Sequence, residues 1–388
     1  MRVLIAVTHL LGAGHLTRAA AIARALERAG CRTTLATGGV QAPLVDTGQA
    51  RVVQLPPVQS GPGGFTDLRD ETRAPIGPDR LAQRRDMLLR AFETSRPDVV
   101  VTETYPFGRR ILSAEYADLV ETARAATPRP VLVASVRDIL VAPSSPTKLD
   151  RTHERLRADY DAVLVHGEER IVPIEASWPV PADLRERLLY TGYVDGAADK
   201  LSLPSQEGRS VLVSGGSSAA ALPIYRAAIE AARLGPDRPW RVLVGHGVRE
   251  SEVEALRRAA PDNACVERAR PDFRACLAEA AVFVGQAGYN TVMDILATRA
   301  RAVLVPYEAG RETEQRLRAE ELARRGYGDV LPEAELDGRT LLRRVEAAAR
   351  RARPARLDIA GNGAERSAAL LADLVRSHRL VDDGGVGR

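Results

Sequence analysis

The residues most suited to chemistry lie in three loops that combine glycine with polar side chains. They read GAGHLTR at residues 12–18, SGGSSAA at 214–220 and GQAGYNT at 285–291. Each follows a short apolar run and precedes a stretch with helical periodicity. The N-terminus of a helix has unpaired N–H groups and about half a positive charge, so it binds phosphate. Three such loops predict a phosphate-containing ligand.

His15 is the residue of these loops best suited to acid–base chemistry. A neutral imidazole can take a proton from an attacking hydroxyl, and its ordinary pKa of about 6.5 suits that task. The positive end of the helix favours the neutral form, and the flanking glycines allow close approach of the backbone to a ligand. Two interpretations stay open: His15 is a base or substrate contact, or it caps or packs the helix.

The loops exclude two common nucleotide sites. They match neither the G-x-G-x-x-G pattern of dinucleotide binding nor the G-x-x-x-x-G-K-[ST] pattern of P-loops. Asp67 and Asp70 are expected to be solvated in a polar loop and not to hold a metal. Backbone N–H groups and a helix dipole can stabilise the negative charge of a phosphate group without a metal. We therefore expect metal-independent chemistry with no cofactor.

The composition argues against nucleic acid as a partner. Of 388 residues 55 are Lys or Arg and 51 are Asp or Glu, and only Lys148 and Lys200 are lysines. The arginines are scattered among the acids, and no nucleic-acid recognition motif is present. The three cysteines, Cys31, Cys265 and Cys276, form no C-x-x-C pair. They are expected to be buried thiols, with metal or redox chemistry as the alternative.

Hydropathy predicts a cytoplasmic protein. No apolar run approaches the ~18–20 residues of a membrane span, and the first residues read as a strand and not as a signal peptide. Residues 81–92 (LAQRRDMLLRAF) mix leucine with arginine. They could lie on a membrane, which would place the protein peripherally at its inner face, or form an amphipathic helix packed on its own sheet.

These loops need elements to position them, and the chain alternates apolar runs with helical stretches. Strands are predicted at 3–7, 33–37, 52–55, 98–102, 131–136 and 162–166, and again at 210–213, 241–244, 264–267, 281–284 and 302–305. Helices are predicted at 16–29, 80–94, 218–234, 250–258, 289–297, 314–325 and 363–377. PPVQSGPGG at 56–64 reads as a loop. The pattern predicts doubly wound parallel sheets, an α/β fold.

The alternation pauses once, which predicts two Rossmann-like domains facing a cleft. We expect an N-terminal domain at 1–195, a linker at 196–209, a C-terminal domain at 210–375 and a tail at 376–388. Ligands of such sheets bind at the carboxyl ends of the strands.

The stretch that begins at residue 285 resembles a known family. GQAGYNTVMDIL, followed by AVLVP and an EQ pair, resembles the donor-binding region of GT-B glycosyltransferases. SGGSSAA is similar to the diphosphate loop of the MurG type, the UDP-GlcNAc-dependent N-acetylglucosaminyltransferases. GAGHLTRA is similar to the glycine-rich loop of their N-terminal domain. The three motifs span residues 12–322 in the family's order.

The resemblance implies that the N-terminal domain is the acceptor side and that the C-terminal domain binds a nucleotide-sugar donor. It makes UDP the usual nucleotide, with dTDP or GDP open, and it implies roles for individual residues. Asp294, where the family usually has Glu, would bind the ribose, and Glu314 and Gln315 would bind the sugar. Arg268, in the loop after residues 264–267, would face the base. The residues implied at the diphosphate are Gly216, Ser217, Ser218, Gln286, Gly288, Asn290 and Thr291.

Further candidates follow from strand ends. Glu103, Tyr105 and Arg109 follow an apolar run and are acceptor candidates, with a structured loop as the alternative. Arg137 and Asp138 are acceptor candidates too, or they pair with each other. The remaining candidates are His246 at the donor, Arg18 at a phosphate and His166 in a structural role.

The sequence thus favours an inverting glycosyltransferase acting on a hydroxyl or amine of a small-molecule, glycan or lipid-linked acceptor. One alternative keeps the fold: a UDP-sugar hydrolase, in which His15 activates water and residues 12–18 form the family's G-x-G-H-x-x-R stretch. A nucleotide-sugar 2-epimerase has a related fold, but its set of catalytic acidic residues is not found in this sequence. A non-catalytic nucleotide-sugar-binding or scaffold protein is the third class.

Overall fold

The chain folds into two compact α/β units. The structure, a computed structural model, describes residues 1–10, 12–43, 45–61, 64–194, 208–216, 219–308, 313–355 and 361–384. Unit 1 comprises Met1–Ala197 and Ile359–Arg388, and unit 2 comprises Ala198–Asp358. Within the described ranges, no helix has both the length and the apolar character needed to cross a membrane.

Unit 1 is built on an eight-stranded sheet. Its strands are β1 (Arg2–Val7), β2 (Arg32–Gly39), β3 (Arg51–Gly61), β4 (Gly64–Arg69), β5 (Val99–Glu103), β6 (Val131–Arg137), β7 (Ala162–His166) and β8 (Leu188–Tyr190). Its helices are α1 (Gly14–Arg28), α2 (Pro78–Ser95), α3 (Ser113–Ala125), α4 (Pro146–Asp159), α5 (Ala182–Arg185) and the last helix of the chain, Gly363–Gly384.

The strand order in unit 1 is β4-β3-β2-β1-β5-β6-β7-β8. All pairs are parallel except β3 with β4. The central strands are nearly continuous apolar runs because helices cover both faces of a parallel sheet. This agrees with the doubly wound fold expected from the alternation.

The predicted loop at 56–64 is wrong over most of its length. Residues up to Gly61 extend β3, and the chain returns as β4, with Gln59 opposite Arg69. Asp67 and Asp70, expected to be solvated, are engaged: Asp67 accepts from Arg69 Nε at 2.7 Å, and Asp70 accepts from backbone N–H groups of the following turn. Antiparallel pairing supplies the backbone hydrogen bonds here, so proline and glycine do not end the strand.

The helix at 81–92 packs on its own sheet. It lies within α2, which buries Arg84, Leu88, Ala91 and Phe92. Arg84 is fully buried, and its Nε donates to Glu115 Oε2 at 2.9 Å. Of the two interpretations of residues 81–92, the structure therefore agrees with an amphipathic helix packed on its own sheet.

Unit 2 is built on a six-stranded sheet. Its strands are β9 (Val211–Ser214), β10 (Trp240–Val244), β11 (Ala264–Arg268), β12 (Val282–Gly285), β13 (Ala302–Leu304) and β14 (Gly328–Val330). Its helices are α6 (Leu222–Leu234), α7 (Glu250–Ala259), α8 (Phe273–Glu279), α9 (Tyr289–Thr298), α10 (Glu314–Arg324) and α11 (Gly338–Ala349). The last helix, Gly363–Gly384, is therefore α12.

The sheet of unit 2 has the order β11-β10-β9-β12-β13-β14, and all its pairs are parallel. The first strand, β9, thus lies between the second and the fourth. The order reverses there, which creates the crevice where Rossmann-like sheets bind ligands.

Helix α12 corrects the expected domain limits. The helix predicted at 363–377 within a C-terminal domain ending at 375 belongs to unit 1 and continues to Gly384. Ala364, Ala368, Leu371 and Val375 join the apolar cluster that also contains Leu16 of α1. The apolar face of α12 is buried against α1. This packing could not be predicted from the order of the elements along the chain. Most of the predicted linker at 196–209 lies outside the described residues.

The cysteines differ in burial. Cys276 is buried and Cys31 is half-buried, but Cys265 is exposed. Cys265 lies on β11, an edge strand whose side chains alternate between faces, so it points away from the buried neighbour Val266. The expectation of three buried thiols is wrong for Cys265.

Candidate functional site

The candidate site of unit 1 lies where its strand order reverses. β1 lies between β2 and β5, so the segments following β1 and β5 meet at the carboxyl edge of the sheet. His15 stands in the first turn of α1, directly after β1. Glu103 is the last residue of β5. The fold therefore brings together two residues that are 88 positions apart.

His15 and Glu103 form a hydrogen-bonded pair. His15 Nδ1 lies 2.9 Å from Glu103 Oε1. The His15 side chain is 14% exposed and that of Glu103 is 1% exposed. Because a carboxylate can only accept, the shared proton lies on Nδ1. Nε2 then carries the lone pair and can act as a base.

Arg18 completes the cluster from one turn further along α1. It is buried to 4% exposure and donates to Glu103 Oε1, with its Nη2 3.2 Å from His15 Nδ1. Burial opposes the ionisation of Glu103, but Arg18 and the hydrogen bond from His15 outweigh it and hold the pKa of Glu103 well below its ordinary value. The carboxylate is therefore ionised beside the imidazole.

The surroundings keep His15 neutral. Burial lowers the pKa of His15 to about 3, assisted by the positive charge of Arg109 and, more weakly, of Arg137 and Arg18. The hydrogen bond to Glu103 acts in the opposite direction but does not overcome them. The free base form is thus present at neutral pH.

The structure corrects three acceptor candidates. Glu103 faces inward to His15, and Tyr105, at 3% exposure, stacks on Tyr116 and accepts from Arg155 Nη1 at 2.6 Å. Asp138, at 1% exposure, accepts from the backbone N–H of Ile139. None of these three side chains is presented to solvent, because each ends or follows a buried strand.

Arg109 and Arg137 remain acceptor candidates. Both are half-buried, and the positive charges of both act on His15. Burial lowers the pKa of Arg109, with Arg137 and Arg18 adding to that effect. A cationic environment surrounds the imidazole, and it suits an acceptor or intermediate that gains negative charge.

In unit 2 the glycines of two loops pack closely at the reversal point. A Cβ on Gly215 would lie 1.9 Å from Ala221 Cβ, and one on Gly285 would lie 2.0 Å from the Ser214 carbonyl oxygen. Gly216 has φ +72°, which glycine adopts without strain. Tyr225 holds the start of the second loop, which begins at residue 214, since the Gly215 N–H donates to the Tyr225 hydroxyl at 3.1 Å. Ser217 and Ser218 lie outside the described residues.

The third loop ends at an uncapped helix. Gly288 is the N-cap of α9, and no side chain caps this helix. The first turn of an α-helix leaves its N–H groups without partners inside the helix. Asn290 is exposed, and Gln286 and Thr291 are half-buried. A phosphate would therefore find both backbone and side-chain donors at this terminus.

The other donor candidates are held by neighbours. Asp294 Oδ1 accepts from Arg274 Nε at 2.7 Å, and Gln315 Oε1 accepts from the Tyr307 N–H at 3.1 Å. Arg268 donates to the carbonyl of Gly245 at 3.0 Å, which secures the loop where His246 is exposed. The roles of these four residues stay predictions.

Glu314, a candidate for binding the donor sugar, is buried and paired with Arg318. It is 4% exposed and accepts from Arg318 Nη2 at 2.8 Å, while Arg318 Nη1 donates to the Ala287 carbonyl at 3.0 Å. The pair thus ties α10 to the loop before α9. In this structure the Glu314 carboxylate helps to hold that loop, and its role at a donor sugar stays a prediction.

Sequence reasoning missed how Ser135 and His166 contribute. Ser135 donates to Glu103 Oε2 and lies 2.9 Å from His166 Nε2. Their signal in the sequence was their position at or near the ends of successive strands. Among the residues that the structure describes, no group of three or more His, Cys, Asp or Glu side chains could hold a metal ion.

Residues 210–370 match the glycosyltransferase family 28 C-terminal domain. The chain is also similar to enzymes named UDP-N-acetylglucosamine–N-acetylmuramyl-(pentapeptide) pyrophosphoryl-undecaprenol N-acetylglucosamine transferase. The one from Aromatoleum aromaticum is 33% identical over 143 residues, which is 36% of this chain and 40% of that protein. The one from Geotalea uraniireducens is 25% identical over 288 residues, 72% of this chain and 75% of that protein. The matches to the Aromatoleum protein and to its Rubrobacter xylanophilus counterpart span only about two fifths of those proteins' length.

Solved structures share the fold over nearly the whole chain. The glycotransferase of kitacinnamycin has a TM-score of 0.61 at 20% identity, covering 97% of this chain and 95% of that chain. MurG of Acinetobacter baumannii has a TM-score of 0.60 at 15% identity, covering 97% and 99%. The spinosyn rhamnosyltransferase SpnG complexed with thymidine diphosphate has a TM-score of 0.57 at 18% identity, covering 97% and 96%. The fold is therefore GT-B.

Proposed function

We propose that this chain, a MurG-like protein of GT-B fold whose residues 210–370 match a family 28 glycosyltransferase domain, transfers a sugar from a nucleotide-diphosphate sugar to an acceptor hydroxyl or amine. The observation that carries the proposal is the buried His15–Glu103 pair at the strand reversal of unit 1. It provides an oriented base on the unit that we expected to bind the acceptor.

The chemistry follows from the orientation of His15. Nε2 takes the proton of the acceptor as the acceptor oxygen or nitrogen attacks the anomeric carbon. The imidazolium formed is stabilised by the ionised Glu103 carboxylate, 2.9 Å from Nδ1. The bond from the anomeric carbon to the diphosphate oxygen breaks, and the diphosphate leaves with the electron pair. Direct displacement of this kind inverts the anomeric centre.

The leaving diphosphate is assigned to the loops of unit 2. Its developing charge would be stabilised by the N–H groups around Gly216 and by the N-terminus of α9. These groups carry out the task without a metal, and on this basis we propose metal-independent transfer. The exposed Asn290 and the half-buried Thr291 add side-chain donors.

The nucleotide is proposed to be UDP. The relatives' names specify UDP-N-acetylglucosamine, whereas one structural neighbour was solved with thymidine diphosphate. Both nucleotides therefore belong in the test. For the acceptor we retain a small molecule, a glycan or a lipid-linked sugar, and a lipid-linked acceptor would bring the reaction to a membrane surface.

The second candidate function is hydrolysis of the nucleotide sugar. The same His15–Glu103 pair could deprotonate water in place of an acceptor, and Arg18 of the G-x-G-H-x-x-R stretch is buried against the pair. The two functions share the base and differ in the nucleophile. They separate in an assay that omits the acceptor.

The test is release of nucleoside diphosphate from UDP-GlcNAc, UDP-glucose and selected dTDP- and GDP-sugars, without acceptor, combined with nucleotide binding by calorimetry. A transferase binds nucleotide tightly and releases little product, and an acceptor panel then gives turnover that His15→Ala abolishes. His378→Ala, a histidine on α12 outside the site, is the matched control. Fast release that His15→Ala removes would show a hydrolase. Absence of both binding and release would show the scaffold function.

A further inference from the structure

A row of four buried polar side chains crosses the sheet of unit 1 from the proposed base. Glu103, Ser135 and His166 lie on the neighbouring strands β5, β6 and β7, and Thr191 directly follows β8. All four are at most 1% exposed. Glu103 and Ser135 are register partners, so the sheet itself sets their spacing.

The row is continuous in hydrogen bonds. Ser135 Oγ donates to Glu103 Oε2 and lies 2.9 Å from His166 Nε2, while His166 Nδ1 lies 2.9 Å from Thr191 Oγ1. Glu103 Oε1 faces His15 and Arg18, so the two carboxylate oxygens have different partners. The Thr191 hydroxyl donates to the Gly192 carbonyl oxygen at 2.7 Å, at the end of the row away from Glu103.

The carboxylate sets the direction of the protons nearest to it in the row. Because Glu103 accepts, the Ser135 hydroxyl donates to it, and Ser135 Oγ must then accept from His166 Nε2–H. His166 is neutral, since burial and Arg18 lower its pKa to about 3 against the opposing charge of Glu103. The protons of Ser135 Oγ and His166 Nε2 therefore point towards Glu103, as does the Nδ1 proton of His15.

We propose that Ser135 and His166 are positioning residues for the proposed base, which they influence through Glu103. The inference rests on the proposed function of His15. Ser135 fixes the rotation of the Glu103 carboxylate and withdraws charge from it. His166 in turn fixes the Ser135 hydroxyl, so His15 keeps its Nδ1–H form and a low basicity.

The cost of burying this row supports a role beyond packing. Polar groups removed from water cost free energy unless they are hydrogen-bonded, and apolar side chains could fill the same strand positions without that cost. The neighbouring strand positions Val101, Val133 and Val165 are indeed valine and are buried. The polar row interrupts this pattern only at the edge that carries His15.

The test compares substitutions that remove a donor with substitutions that keep it. Ser135→Ala removes the donor to Glu103, and Ser135→Thr keeps a hydroxyl. His166→Leu removes the donor to Ser135, and His166→Gln keeps an N–H group at the position of Nε2. Ser177→Ala is the control: Ser177 is a buried serine of unit 1 whose hydroxyl binds only the backbone of Leu140 and Ile174 in the described hydrogen bonds.

The first readout is the ¹⁵N NMR spectrum of the histidine side chains as a function of pH, which needs no substrate. The charged and titratable groups that act on His15 are Glu103, Arg18, Arg109 and Arg137. None of them changes in these variants. We expect Ser135→Ala to raise the pKa of His15 by about one unit, because an unsupported Glu103 carboxylate attracts the imidazolium more strongly. His166→Leu should give a smaller rise, and both conservative variants should resemble wild type.

The second readout is kinetic. With the donor and acceptor identified for wild type, Ser135→Ala should lower kcat about 10- to 100-fold, since a displaced base loses its alignment. The nucleotide dissociation constant should not change. Ser135→Thr should restore most of the loss, and Ser177→Ala should leave the pH profile as in wild type.

The outcomes separate this inference from the proposed function. Unchanged His15 signals in Ser135→Ala, or a loss of kcat no greater than in Ser177→Ala, would overturn the positioning role. Absence of turnover in wild type with every donor would overturn the proposed function, while the NMR result on the row would stand by itself.

Discussion

At the scale of single residues, the proposed function depends on which nitrogen of His15 carries a proton. Glu103 accepts from Nδ1 and leaves the lone pair on Nε2. A neutral amide in place of the carboxylate can donate as well as accept, so it no longer sets this orientation. The carboxylate therefore controls both the tautomer of the base and the stability of the imidazolium.

We expect Glu103→Gln to lower kcat at least about 100-fold, because the amide allows the inactive tautomer with the proton on Nε2. Steady-state kinetics with the donor and acceptor found for wild type would measure it. The nucleotide dissociation constant should stay within about twofold, as the substitution lies in unit 1. Glu365→Gln, on the exposed surface of α12, is the control. Full activity of Glu103→Gln would contradict the assigned orientation.

The second prediction concerns pH. Because the pKa of His15 is lowered to about 3, kcat/KM should show no acidic limb from His15 between about pH 5 and 8. Arg109→Gln removes a positive charge that favours neutral His15. The pKa of His15 should rise, and the acidic limb should move to higher pH. A pH–rate profile of wild type with an acidic limb near 6.5 would show that burial does not lower this pKa.

At the scale of elements, the loops of unit 2 depend on the absence of side chains. Gly215→Ala should place its Cβ 1.9 Å from Ala221 Cβ, and Gly285→Ala should meet the Ser214 carbonyl oxygen at 2.0 Å. We expect each to lower the free energy of unfolding by about 1–3 kcal/mol and to weaken nucleotide binding. Gly77→Ala is the control, since it lies in unit 1 and its Cβ would meet nothing within 4 Å. Urea unfolding and calorimetry measure the two effects.

Elements with strong local signals could be predicted from the sequence. The strands at 3–7 and 162–166 and the helix at 250–258 lie within a residue or two of the observed bounds, because apolar periodicity and helix termini are local properties. The β3–β4 pair was missed since its pairing depends on a partner strand. The start of α6 at Leu222 and not at 218 agrees with Pro223, which is favoured in a first helical turn.

Prediction of the site was limited for the same reason. His15 could be identified because its loop carries a local pattern. The partnership of Glu103 with His15 spans 88 positions and depends on β5 pairing beside β1. Ser135 and His166 likewise gain their meaning only from the strand order. The burial of Glu314 and Tyr105 could not be predicted either, because no local pattern indicates which polar side chain faces inward.

At the scale of the whole molecule, the stability of unit 1 includes a helix from the far end of the chain. Leu371 of α12 is fully buried, whereas Leu380 of the same helix is 74% exposed. We expect Leu371→Ala to lower the free energy of unfolding by about 2–5 kcal/mol, because it leaves a cavity. Leu380→Ala should change it by less than about 0.5 kcal/mol. Equal effects in urea unfolding would show that α12 does not pack on unit 1.

Acid should destabilise the protein before its carboxylates titrate. Burial lowers the pKa of His15 and of His166 to about 3, whereas an unfolded histidine titrates near about 6.5. The unfolded state therefore binds more protons, and stability is lost as pH falls through about 6.5, by up to about 1.4 kcal/mol per pH unit for each histidine. Urea unfolding at several values of pH should show a shallower dependence in His166→Gln. The same slope in both proteins would contradict a neutral buried His166.

An antiparallel bridge between Val194 and Asn362 joins the two segments of unit 1 that flank unit 2 in the sequence. The Gly363 N–H donates to the Tyr193 carbonyl at 3.0 Å, so the two points where the chain leaves and re-enters unit 1 are adjacent. Unit 2, Ala198–Asp358, is therefore an insertion whose two ends start from one place in its host. Such an insertion can be exchanged as a cassette without opening the host fold. On the proposed function, replacing unit 2 would change the donor specificity while His15, its row of supporting side chains and α12 remain in place.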